Sequence, residues 1–158
     1  MGVFMVFITP VIYSMAGSAT DVSRRENVSN LVNRIFLVGI AVTMLATLVS
    51  LFLHRQIMTI LVAEEYWLVS EHMPVLVAAG GLFAVALVIA AKHLSFMSPK
   101  KLMPANIGSS LIGIAAAFIG VYYYSFVGAV FAMLIHSASY LIMLLMVNSR
   151  PEAINEPN

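Results

Sequence analysis

Residues 105–147 read ANIGSSLIGIAAAFIGVYYYSFVGAVFAMLIHSASYLIMLLMV, and no Asp, Glu, Lys or Arg falls between Lys101 and Arg150. Two apolar runs of about 20 residues meet at a turn of a few residues around Tyr124-Ser125-Phe126. At about 1.5 Å of rise per residue, each run matches the ~30 Å hydrocarbon core of a bilayer. A soluble domain has no means of burying two such helices on all sides. The stretch predicts two antiparallel membrane spans, and the rest of the chain repeats the theme.

Composition points the same way. Of 158 residues, 61% are hydrophobic and 9% charged, with a mean hydropathy of +0.98. Soluble domains carry about 25% charged and ~45–50% apolar residues. The expected fold class is therefore all-α, a polytopic transmembrane helix bundle of about five apolar segments. There is no cysteine, which excludes disulfides, thiolate metal sites and cysteine nucleophiles. The eight basic residues are scattered over short connections rather than gathered on a face, which argues against nucleic-acid binding. No nucleophile–base pair, glycine-rich phosphate loop or intramembrane carboxylate dyad is present, so the sequence predicts neither an enzyme nor a cofactor.

In chain order, the spans are expected at about 1–16, 31–53, 74–91, 105–124 and 126–147, the bundle covering 1–147 and a polar cytoplasmic tail covering 148–158. The first contains Pro10, tolerated as a kink in a span; a signal peptide is the rival reading, but no basic residue precedes Arg24. Residues 17–30 read as a polar loop, in which Asn27-Val28-Ser29 fits a short glycosylation pattern. Residues 54–73 are too charged to span, and Tyr66 and Trp67 beside carboxylates suit an interfacial segment. Glu64, Glu65, Glu71 and His72 lack the spacing of a zinc or calcium motif, which favours a solvated loop over a metal site. Pro74 suits a first helical position. Residues 92–104 form a basic loop.

The connections 17–30 and 92–104 and the tail alternate onto one side. With Arg34, that side holds Arg24, Arg25, Lys92, Lys100, Lys101 and Arg150; Arg55 stands alone on the other. The bias places the basic side and the C-terminus in the cytoplasm of an inner-membrane, multi-pass protein.

Three fragments carry a resemblance. Ile8-Thr9-Pro10-Val11-Ile12-Tyr13 precedes a basic loop, Leu61-Val62-Ala63-Glu64-Glu65-Tyr66 precedes the next apolar run, and Tyr124-Ser125-Phe126-Val127-Gly128-Ala129-Val130 lies between the last two runs. In this order and spacing they resemble helix-end motifs of the polysaccharide and O-antigen flippases, within the multidrug/oligosaccharidyl-lipid/polysaccharide exporter superfamily. The resemblance implies that the five segments correspond to helices eight to twelve of such a transporter. It implies a lipid-linked oligosaccharide as substrate and a partner in the form of a missing N-terminal lobe or a second copy. A transporter of this kind alternates access between two lobes, so this part is expected to be incomplete on its own. The alternatives are a small non-transporting membrane scaffold, or a cation-coupled antiporter of the same superfamily, against which the lack of an acidic residue within a span counts.

Within the spans, the candidate substrate-path residues are His136, Ser137 and Arg34. His136 is the ionisable group deepest in an apolar run, and such groups commonly face a cavity or another helix. It is expected to face the bundle interior, either hydrogen-bonded across the bundle or lining a cavity. Arg34 either snorkels to the headgroups or meets a pyrophosphate. Gly113 and Gly120, in a stripe with Ala116 and Ala117, and the pair Gly80 and Gly81 are candidates for close helix packing.

Overall fold

The computed structural model describes residues 22–61, 70–95 and 99–149. These residues form helix α1 (Val22–Leu61), helix α2 (Met73–Ser95), a 3-10 turn (Pro99–Leu102) and helix α3 (Met103–Ser149). All three helices are long and apolar enough to cross a membrane. The expected segment 1–16 lies outside the described residues.

α3 is a helical hairpin. Ser125 breaks it with φ 51° and ψ −127°, and the two arms, 103–124 and 126–149, fold back on each other. Gly108 faces Met143, Gly113 faces His136, and Gly120 faces Gly128, a register that only an antiparallel pair gives. The reversal needs a left-handed backbone, which a residue with a Cβ adopts at a cost of about 1–3 kcal/mol. Replacing Ser125 with glycine removes that cost and adds about 0.5–1 kcal/mol of unfolded-state freedom. Ser125→Gly is therefore expected to stabilise the hairpin by about 1 kcal/mol, read from unfolding in mixed micelles, whereas Ser125→Val is expected to destabilise it.

α1 and α2 are also antiparallel. The Val85 side chain seats against Gly39 at 2.9 Å from where a Cβ would stand, and Thr43 seats against Gly81. Small residues on each helix thus receive a branched side chain from the other. Towards the helix ends Val28, Val32 and Ile35 meet Val88 and Ala91. On its other side α2 packs against the hairpin: Val85, Ala86, Ile89 and Ala90 form one cluster with Leu102, Ala105, Tyr140, Leu141 and Leu144. α2 is the middle element between α1 and α3.

The helices outrun the spans expected for them. Residues 22–30 and 54–61, read as loop, are helical parts of α1; of the basic loop 92–104, Lys92–Ser95 continues α2 and α3 starts at Met103. The physical reason is that Arg, Glu, Gln, Met and Lys are good helix formers in water. A helix has no cause to stop where the hydrocarbon does.

The two ends of the bundle differ in chemistry. At one end lie Ser29, Lys92 and Asn148, joined by hydrogen bonds, with Lys100 and Lys101 in the turn that follows. At the other end His72 stacks obliquely on Phe126, ring centroids 6.2 Å apart, beside the exposed Tyr122, Tyr123 and Tyr124. From Met103 to Tyr122 the first arm rises about 29 Å. Amines at one end and aromatic rings at the other suit the two headgroup layers. Between these ends the surface is greasy: Leu37 is 66% exposed, Phe52 77% and Phe118 80%. A continuous apolar surface of this kind is stable against acyl chains and not against water.

Candidate functional site

The mid-depth of the hairpin carries the chemistry. His136 sits half-buried on the second arm, over Gly113 of the first, whose missing side chain makes room for the ring. Its Nδ1 lies 3.0 Å from the Ser109 carbonyl oxygen. A carbonyl only accepts, so Nδ1–H donates. Phe83 of α2 lies against the same ring, centroids 6.1 Å apart, and against Tyr140 at 5.5 Å. His136 therefore links the two arms and touches the middle helix. It lies between the arms rather than in the bundle core, where Leu141 and Leu144 are buried instead.

Beside this contact the hairpin opens into a groove of about 410 Å³, lined by Ser110, Gly113, Ala117, Ala129, Ala132 and His136 among others. Ser110 is exposed, and its hydroxyl makes no hydrogen bond among the described residues. The groove thus joins the Ser110 hydroxyl to a largely apolar lining. A second groove of about 590 Å³ lies nearer the turn, lined by residues such as Ala116, Gly120, Gly128 and Phe131; it is apolar.

The other candidates do not converge on His136. Ser137 is buried, and its hydroxyl donates to the Met133 carbonyl one turn back at 2.9 Å, so its polarity is used within its own helix. Arg34 is exposed on α1, about five residues, or ~7.5 Å, inward of Ser29, within snorkelling reach of the basic end. Of the expected packing glycines, Gly113, Gly120 and Gly81 each meet a partner closely enough that a Cβ would collide. Gly80 is half-buried beside Gly81. Among the described residues no three His, Asp or Glu side chains come together; Glu71 is exposed, and Glu64 and Glu65 lie outside the described residues.

Lys92 was not singled out by its sequence context. Its Nζ donates to Ser29 Oγ at 3.1 Å and to Asn148 Oδ1 at 3.0 Å, tying α1, α2 and the end of the hairpin together. The only signal was one cation closing an apolar run, which equally suits a headgroup anchor. Hydrogen bonds from a charged donor contribute about 1.5–3 kcal/mol each, net of the exchange with water. Lys92→Met is expected to lower bundle stability by about 2 kcal/mol, measured by unfolding in mixed micelles.

No protein-family profile matches the chain, and no curated protein or solved structure is similar to it at a significant level.

Proposed function

We propose that this chain forms a membrane-embedded lobe of a transporter that moves a lipid-linked oligosaccharide or polysaccharide precursor across the cytoplasmic membrane, working with a second lobe. Support comes from where the flippase-like fragments fall. Tyr124–Val130 brackets the reversal at Ser125; of the fragment that begins at Leu61, only Leu61 is among the described residues. A helix-end motif should lie at a helix end, and the Tyr124–Val130 fragment falls at the reversal between the two arms. The fragment at residues 8–13 lies outside the described residues.

In this proposal the basic end faces the cytoplasm. Its amines offer pyrophosphate a first electrostatic contact, while the apolar flank of the bundle guides the lipid tail. Fusing alkaline phosphatase after Asn158 is expected to give an inactive enzyme, because the C-terminus would stay on the reducing side; an active fusion contradicts that orientation. Substrate recognition is tested by a photoactivatable polyprenyl-pyrophosphate oligosaccharide in membranes containing the chain. Saturable labelling that unlabelled lipid-linked oligosaccharide displaces is expected. Labelling no stronger than that by a photoactivatable phosphatidylglycerol would overturn the proposal.

A further inference from the structure

We propose that the turn between α2 and α3 holds an anionic phospholipid, its phosphate at Lys100 and Lys101 and one acyl chain along the first arm of the hairpin. Three observations carry it. The first is charge. From His72 to Ser149 the chain contains no Asp or Glu, so α2, the turn and both arms bring Lys92, Lys100 and Lys101 to the basic end and no carboxylate. Lys100 and Lys101 are exposed. Among the described residues the acid at this end is Glu26, exposed on α1, on the far side of α2.

The second observation is the apolar surface under these amines. Side chains three apart in a 3-10 turn eclipse one another, so Lys100 of Pro99–Leu102 stands over Met103, the first residue of α3. Ile107, Leu111, Ile114 and Phe118 follow it at helical spacing, within about 80° of arc, and all five are 60–80% exposed. The third is depth. Met103 to Ile114 covers about 16 Å, close to one leaflet of a ~30 Å hydrocarbon core. A chain lying on this stripe therefore ends near the bilayer midplane while its headgroup sits at the lysines. A soluble anion would use the amines and leave the stripe bare. A zwitterionic lipid would cover the stripe, but its ammonium group offsets its phosphate. An anionic phospholipid meets both, and each lysine near a membrane surface adds about fivefold to affinity for anionic lipid. The site stands whether or not the lobe carries oligosaccharide.

The chain has no cysteine, so a bimane fluorophore on Leu111→Cys reports alone from the middle of the stripe. The whole chain is placed in phosphatidylcholine vesicles carrying a small fraction of lipid with a nitroxide on its acyl chain, which quenches the fluorophore on contact. Nitroxide-labelled phosphatidylglycerol is expected to quench at a mole fraction about five- to 25-fold lower than nitroxide-labelled phosphatidylcholine. Lys100→Gln with Lys101→Gln, both at exposed positions in a turn, is expected to abolish that preference. Arg34→Gln removes an exposed cation from α1 and is expected to leave it unchanged. The proposal fails if the two lipids quench alike, if the preference survives the paired lysine substitution, or if Arg34→Gln lowers it as much as that pair does.

Discussion

Gly128→Val is expected to open the hairpin. At this crossing the two arms touch backbone to backbone. A Cβ on Gly128 would overlap the carbonyl and Cα of Gly120, and one on Gly120 would stand 2.7 Å from the Gly128 oxygen. No flexible side chain is there to swing aside, so the arms must separate or Ser125 must change its turn. Overpacking ordinarily costs about 1–3 kcal/mol, and a clash with backbone on both sides belongs at or above the upper end, at about 3 kcal/mol or more. Ala115→Val builds the same valine side chain on the exposed face of the first arm and is expected to change stability by less than about 0.5 kcal/mol. Unfolding of both variants in mixed micelles checks the contrast. Equal stabilities would mean that the arms do not meet at Gly120 and Gly128.

Leu144→Ala is the second large effect. Leu144 is 0% exposed and packs with Ile89, Ala90, Leu102, Ala105 and Tyr140 at the junction of α2 with both arms. Truncation leaves a cavity that helix backbones cannot collapse to fill, at a cost of about 2–4 kcal/mol. Its neighbour Leu145 is 40% exposed. In a bilayer, acyl chains refill the space left by an exposed leucine, since lipid is as apolar as the side chain it replaces. Leu145→Ala is therefore expected to cost less than about 1 kcal/mol.

The hairpin was legible in the sequence for one reason: nothing charged interrupts 102–149, so two membrane-length runs and a reversal near Ser125 follow from length alone. The small-residue stripe foretold close contact through Gly113 and Gly120, although not the partners. Which residue faces Gly120 depends on the register of the reversal, and one residue of shift would replace Gly128 with Val127 or Ala129. The partner of His136 was beyond sequence reading because it is a backbone carbonyl, and every residue has one. Ser110 was overlooked because a serine in a helix ordinarily bonds its own backbone, as Ser109 and Ser137 do. The extra turns of α1 escaped notice because hydropathy marks where lipid ends, and α1 continues into water on helix propensity.

Cysteine accessibility tests most directly whether the hairpin crosses a bilayer. With no native cysteine, Lys101→Cys, Ala115→Cys and Tyr123→Cys report the two ends and the middle of the first arm. A membrane-impermeant maleimide applied to intact cells is expected to label Tyr123→Cys at once and Lys101→Cys only after permeabilisation, leaving Ala115→Cys unlabelled throughout. Labelling of both ends from the same side, or ready labelling at Ala115→Cys, would mean that this hairpin does not span a membrane.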